Sequence, residues 1–281
     1  MQKWTRKAAA VIAVICLAFG TAGVVMHKWD EMRQEKAQEE LTAQVVGMSE
    51  AGTTGETMPE KKVPEVENEI GETNAIKETE YVSAIDFSAL DFQNPDVVAW
   101  IQIPGTQINY PVVQGKDNDY YLHRDLNGQK STASTIFLDY ADQADFSSLH
   151  NVLYGHHMNN GTMFADLCKY ESEDFYQEHK TVRFDTLSGF GEYEVVAVFK
   201  TVAYSEQGFK YYHFTSAESE ADFDDYIAQC KALSLYDTGV TAEYGDKLIT
   251  LSTCEYSRKN GRMVVVAKRI AAPSAEVGSD A

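Results

Sequence analysis

Cys254 ends the apolar run Leu248 to Cys254, within Thr250-Leu251-Ser252-Thr253-Cys254, and Arg262 follows eight residues later. Leu248 to Cys254 and Arg262-Met263-Val264-Val265-Val266-Ala267 are both rich in branched, alternating strand residues, with a polar stretch ending in Gly261 between them. The pattern predicts a hairpin turning over Glu255 to Gly261, with Cys254 and Arg262 facing each other at the adjacent-strand spacing of about 5 Å. A thiolate is the reactive form of cysteine, and a permanent guanidinium charge beside it favours that form and can also stabilise an oxyanion. Strand alternation puts Leu248, Thr250, Ser252 and Cys254 on one face, so Ser252 can hydrogen-bond a ligand beside the sulfur. Glu255 stands at the strand end. The competing reading makes Cys254 a small buried hydrophobe and Arg262 an ordinary surface charge.

A second constellation, Val152-Leu153-Tyr154-Gly155-His156-His157-Met158, shifts that balance, because an alternating strand runs directly into histidines. A cysteine nucleophile needs an acid/base near neutral pKa to take its proton and return it to a leaving amine, which is the chemistry of imidazole. His156 is the candidate. His157 has the opposite strand parity and reads as a surface or supporting residue. His123, His150, His179 and His213 have no comparable context.

Together, Gly155-His156, Thr250-Leu251-Ser252-Thr253-Cys254 and Gly261-Arg262 resemble the sortase family of cysteine transpeptidases, over Asp86 to Ile270 and with His, Cys and Arg in the same order. The runs Asn118-Asp119-Tyr120-Tyr121-Leu122, Tyr154-Gly155-His156-His157-Met158, Gly161-Thr162-Met163-Phe164 and Ser252-Thr253-Cys254-Glu255-Tyr256 are similar to the class B branch. The resemblance implies that His156 is the acid/base, Cys254 the nucleophile and Arg262 the arginine that orients substrate and stabilises the oxyanion. Arg258 competes for that last role but lies inside the turn. Ser252 and Glu255 match positions that contact the sorting signal, and Asn118 and Leu122 resemble residues lining the same groove.

The elements that must position these residues recur regularly. Strands are expected at Val97 to Ile103, Tyr110 to Val113, Ser134 to Leu138, Asn151 to Gly155, Thr181 to Asp185, Tyr193 to Ala203, Lys247 to Cys254 and Met263 to Lys268. Their even spacing between turn residues suggests a closed or nearly closed barrel. The resemblance specifies a mainly β fold, the eight-stranded sortase-type barrel with peripheral α-helices. Helices are expected at Phe87 to Phe92, around Met163 to Tyr176 and at Ser219 to Leu235, the last with a stripe at Ala221, Phe223, Ile227, Cys230, Ala232 and Leu233. Class B sortases carry an inserted helix in that place. The aromatics Tyr211, Tyr212 and Phe214 just before it read either as packing or as a groove wall.

Upstream, Ala8 to Met26 is a run of 19 uncharged residues, which as a helix spans about 28 Å, close to the thickness of a bilayer core. Lys3, Arg6 and Lys7 precede it and acidic residues follow, so the positive-inside rule predicts a single-pass type II anchor with the bulk of the chain outside the cell membrane. A cleaved signal peptide is the alternative, although no clean Ala-x-Ala site is present. The expected organisation is a cytoplasmic tip and membrane anchor over 1–28, an acidic flexible linker over 29–80, a catalytic domain over 81–270 and a disordered tail over 271–281. Within the linker Met32 to Leu41 has the character of a short helical stalk.

The net charge of -19 argues against a nucleic-acid partner, since phosphate binding needs clustered Lys and Arg. Cys16, Cys168, Cys230 and Cys254 are spaced as neither a disulfide framework nor a metal site, and Cys168 and Cys230 read as two buried free thiols. Asp222, Asp224 and Asp225 read as a solvated helix face, so neither a metal nor a cofactor is expected. The function implied by the resemblance is two-step acyl transfer. Its partners are secreted proteins bearing an Asn-Pro-x-Thr or Pro-x-Thr-Gly type sorting signal and an amine of a peptidoglycan precursor. Three alternatives stand beside it: a pilin lysine as acceptor, water as acceptor in a cysteine peptidase, and a membrane-tethered module that binds peptide without turnover.

Overall fold

Eight strands close into one barrel in the order β1-β2-β3-β4-β7-β8-β6-β5, with β5 returning to β1. They are β1 (Val97–Gln102), β2 (Asn109–Val113), β3 (Ile136–Leu138), β4 (His150–Tyr154), β5 (Thr181–Thr186), β6 (Gly189–Val202), β7 (Leu248–Glu255) and β8 (Gly261–Arg269). The computed structural model describes residues 94–270 except 187 and 188, together with 28–29, 32–33, 36–43, 85 and 87. The predicted membrane run, most of the acidic linker, most of the Phe87 to Phe92 helix and the tail after Ile270 lie outside the described residues. Among the described residues no helix is long and apolar enough to cross a membrane. All eight predicted strands are present with ends moved by a few residues, and β6 starts earlier than its apolar pattern, at Gly189.

Two pairings are parallel, β2 with β3 and β4 with β7, and the remaining pairings are antiparallel. Among the described residues closure leaves no strand at a free edge, and it gives the barrel an interior filled by Ile101, Val112, Leu153, Phe184, Ile249, Leu251 and Val265. β7 and β8 are covered on the outside as well. Val264, Val266 and Leu248 meet Phe223, Tyr226, Ile227 and Cys230 of a helix in the connection between β6 and β7. Two-sided burial is why Met263 to Ala267 is continuously apolar rather than alternating, and each of its Met and Val side chains contributes about 1.5–3 kcal/mol on burial.

That helix is α2 (Glu220–Leu233), and α1 (Glu173–Glu178) precedes it outside the barrel. Ser219 caps α2 by accepting the Asp222 N–H and donating its hydroxyl to the Asp222 carboxylate, while Glu220 and Asp222 place negative charge at the positive helix end. The buried stripe is Phe223, Tyr226, Ile227 and Cys230, so Ala221, Ala232 and Leu233, predicted to share it, face solvent. A turn of 3.6 residues carries the contact line through Tyr226 instead. The predicted Met163 to Tyr176 helix divides into a 3-10 stretch (Ala165–Glu171) and α1, separated by extended backbone at Ser172. Of the predicted stalk, residues 32–33 and 36–41 are helical, the helix running on to 43, and it does not stand free. Leu41 packs beside Trp100 and Tyr121, and the Gln38 amide donates to the Asn109 carbonyl at 2.7 Å.

Asp142 joins the β3–β4 loop to the sheet by accepting the Val152 N–H at 2.7 Å, while its Oδ1 is buried without a partner among the described residues. Burial, partly offset by that hydrogen bond and reinforced by Asp139, pushes its carboxyl up from 3.8 to about 7. A carboxyl with a raised folded pKa costs no stability when protonated in both states, and its penalty grows as pH climbs from about 4 to about 7. Asp142→Asn should therefore stabilise the fold at pH 8 by at most about 4 kcal/mol, raising the thermal midpoint there, and leave it unchanged near pH 4. A melting series across that range checks this, and equal effects at both ends would refute it.

Candidate active site

Three strand ends lie side by side at one end of the barrel. β4 pairs in parallel with β7 through Leu153↔Leu251 and Tyr154↔Ser252. β7 pairs with β8 through Ser252↔Val264, Cys254↔Arg262 and Glu255↔Gly261. The Gly155 N–H continues the first ladder by donating to the Ser252 carbonyl at 3.2 Å, and the Thr253 hydroxyl donates to the Gly155 carbonyl at 2.8 Å. Extrapolated two residues past its last pair, Tyr154↔Ser252, that register aligns His156 with Cys254. On that register His156, Cys254 and Arg262 fall in one row across three neighbouring chains, with the Cys254–Arg262 pair itself formed in the β7–β8 ladder. The predicted hairpin is observed with its Cys254–Arg262 pairing as expected, although the strands reach Glu255 and Gly261 and leave the shorter turn Tyr256 to Asn260.

Gly155 makes this approach sterically possible. A Cβ there would lie 2.4 Å from Ile136 Cδ1 and 2.7 Å from Phe164 Cγ, inside any van der Waals contact, so a side chain would displace the histidine-bearing segment from its packing on Ile136 and Phe164. His156 Nε2 lies 2.9 Å from the Leu122 carbonyl. A carbonyl only accepts, so Nε2 carries the hydrogen and Nδ1 is left as the nitrogen able to take and return a proton. Leu122, expected in a substrate groove, thus orients the histidine through its backbone.

The other predicted contacts divide. Ser252 shares the Cys254 face, as alternation requires, but it is 1% exposed and its hydroxyl is 2.6 Å from the Tyr211 hydroxyl. Burial, opposed by the Ser252 hydrogen bond and the Arg262 charge, pushes the Tyr211 phenol up to about 12, so it stays neutral. Asn118 braces a loop: its amide donates to Asp139 Oδ2 at 3.0 Å and its Oδ1 accepts the Tyr140 N–H at 2.9 Å. Tyr154 donates to the same Asp139 oxygen at 2.8 Å. Glu255 turns to the opposite side of the hairpin, where it accepts from the Ser257 N–H and hydroxyl and lies 3.7 Å from Lys200 Nζ. Burial pushes the Glu255 carboxyl up, but the two Ser257 hydrogen bonds with Lys200 and Arg258 hold it below its ordinary value.

Several participants had no sequence signal. Cys168 is half-buried rather than sealed in the core, with its sulfur 3.3 Å from His157 Nδ1 and 3.7 Å from the Cys254 carbonyl. Lys200 bridges Glu171 at 2.7 Å and Glu255. His150, at the far end of β4, is fully buried, with Nε2 2.6 Å from the Thr250 hydroxyl and Nδ1 against the Phe214 carbonyl. Burial pushes it down to about 4 despite the Phe214 bond, so this histidine is neutral and ties the β6–β7 connection to the barrel. Phe214 stacks on Tyr226 at 4.1 Å and Tyr211 is buried, which resolves that aromatic cluster as packing behind the row. A cavity of about 280 Å³ lies elsewhere, between the upstream helical residues and β2, and none of His156, Cys254 and Arg262 lines it.

Chemically, the row offers a thiol, an imidazole with one free nitrogen and a guanidinium on one surface, which is a complete set for nucleophilic acyl transfer. The sortase domain family model matches residues 101–270. Sortase B of Listeria monocytogenes is 38% identical over 179 residues, 63% of this chain and 71% of that protein. A Staphylococcus aureus sortase B–substrate complex superposes with a TM-score of 0.60 at 35% identity, covering 66% of this chain and 84% of the other. A sortase B structure complexed with triglycine matches at a TM-score of 0.60 and 35% identity over 66% of this chain and 85% of that one. With its closed eight-stranded barrel and these relatives, the chain belongs to the sortase family of cysteine transpeptidases, in the class B branch.

Proposed function

We propose that this transpeptidase cleaves a sorting signal of a secreted protein after threonine and transfers the threonyl carbonyl to a primary amine of a cell-wall precursor. The row His156, Cys254, Arg262 is the observation that carries the reading. The Cys254 thiol passes its proton to His156 Nδ1 as the sulfur attacks the threonyl carbonyl carbon. Arg262 and the Glu255 backbone N–H stabilise the tetrahedral oxyanion. The peptide C–N bond then breaks, and His156 returns the proton to the departing amine, leaving a thioester on Cys254. An incoming amine attacks that thioester, gives its proton to His156 and expels the Cys254 sulfur, which takes the proton back. Atoms and charge balance without a metal or redox partner.

The known relatives support the two substrates by class, since one sortase B structure holds a substrate and a second structure of a sortase B holds triglycine, a peptide with a free amine. In our reading the signal is of the Asn-Pro-x-Thr or Pro-x-Thr-Gly type. The uncharged run Ala8 to Met26, with cations before it and acids after it, supports a single-pass type II anchor that holds the barrel outside the cell membrane.

The test is mass spectrometry of the full chain in detergent, incubated with a small library of Pro-x-Thr peptides and triglycine. Cleavage after threonine with triglycine joined to the new carboxyl end is the expected product. Free acid alone, despite excess amine, would replace the transferase reading with a peptidase. Protease added to intact cells should digest the barrel, and protection would overturn the orientation.

A further inference from the structure

The reaction proposed above passes through one peptide unit, the one joining Cys254 to Glu255. Its nitrogen side supplies the oxyanion N–H, and its carbonyl side belongs to the nucleophile. That carbonyl is gripped from outside the hairpin. His157 Nδ1 lies 3.1 Å from it and the Cys168 sulfur 3.7 Å. Since a carbonyl only accepts, Nδ1 carries the hydrogen, and the thiol adds a second, weaker donor to the other lone pair. Burial and the nearby Glu255 charge push the Cys168 thiol up to about 11, which keeps it protonated and a donor.

His157 is itself fixed. The Tyr256 hydroxyl donates to its carbonyl at 3.1 Å, the Tyr256 ring packs against its imidazole with centroids 5.1 Å apart, and it bridges to Met163. The two histidines of Gly155-His156-His157 therefore divide the work: one faces the sulfur's side of the row, and the next holds the backbone behind it. A trans peptide is planar, so fixing the direction of the C=O also fixes the N–H pointing the opposite way.

We propose that His157 is a positioning residue that sets the orientation of the Cys254–Glu255 peptide, and with it the oxyanion donor, without touching substrate. The inference rests on the nucleophile and oxyanion roles given under the proposed function. It is tested with two amides of similar size and polarity. His157→Asn can place an N–H near the Nδ1 position, whereas His157→Gln carries its amide one carbon farther out.

Two reactions of Cys254 are compared in the full chain. Acyl transfer passes through an oxyanion, while alkylation by iodoacetamide, followed by peptide mapping, is a displacement that forms none. His157→Gln is expected to lower kcat for acyl transfer about tenfold, because misplacing a reacting group by about 1 Å can cost about 100-fold. KM and the Cys254 alkylation rate should stay close to wild type, and His157→Asn should retain most of the activity. Equal behaviour of the two amides, or alkylation that falls in parallel with acylation, would overturn the assignment in favour of plain structural support. Cys254→Ala runs alongside: if it still forms product, the parent reading fails and takes this one with it, an outcome distinct from either of those.

Discussion

Cys254→Ala is expected to abolish the thioester-linked acyl-enzyme and to lower peptide turnover by on the order of 10⁴-fold or more, the usual cost of deleting a catalytic nucleophile. Stability should hardly change. The side chain is partly exposed at the mouth of the row, and the contacts that fix this stretch of β7 are made by its backbone: the ladder to β8 and the carbonyl held by His157. The informative control is Cys168, whose sulfur lies beside the Cys254 carbonyl. With its thiol pushed up to about 11, only about one molecule in 10⁴ carries a thiolate there at neutral pH. Intact-mass and peptide mapping of trapped acyl-enzyme should therefore place every acyl group on Cys254. An acyl group on Cys168, or turnover surviving in the alanine variant, would remove Cys254 from the mechanism.

Arg262→Ala should lower kcat by about 10²–10³-fold, the usual effect of removing one oxyanion donor. Arg262 is the cross-strand partner of Cys254, and its Nη1 donates to its neighbour's carbonyl at Gly261 at 2.9 Å. That bond anchors one arm of a planar fork and leaves the rest of the guanidinium available to the substrate. A lysine keeps the charge but is a mobile point donor without the fork, so Arg262→Lys should recover only part of the loss. Arg258 sits exposed in the turn after β7, and Arg258→Ala should stay within about twofold of wild type, in the range of exposed charge removals. Steady-state kinetics of the three variants decides the matter. A rise in KM with unchanged kcat for Arg262→Ala would reduce its role to substrate binding, and a large loss in Arg258→Ala would transfer the oxyanion role to that residue.

Strand positions were legible because a strand buried on one or both faces must show its pattern in the chain. Ile249 and Leu251 point into the barrel, while Ser252 and Cys254 point out, which is the alternation that the residues from Leu248 onward display. The nucleophile and its arginine were legible for the same reason. They flank a single short turn, so local pairing sets their relation, and the structure pairs Cys254 with Arg262. His156 was found by chemical type and by the strand leading into it, with its place beside Cys254 supplied by the parallel pairing of β4 and β7 across about a hundred residues of sequence. The helical stripe of α2 was legible in outline but misassigned at Tyr226, since a run with apolar and small residues on several sides fits more than one face until the sheet selects one.

By itself, the sequence determined the barrel strands, the helix over β7 and β8, and the residue types of the reactive row, because periodicity, turn chemistry and side-chain reactivity are local properties. The tertiary structure alone decided what surrounds that row: Tyr211 on the Ser252 hydroxyl, Lys200 near the Glu255 carboxylate, the Leu122 carbonyl on His156, and His157 with Cys168 on the Cys254 carbonyl. Each of those contacts joins segments tens of residues apart that have no shared period. Only closure of the barrel brings their polar atoms within hydrogen-bond distance, where burial obliges them to pair.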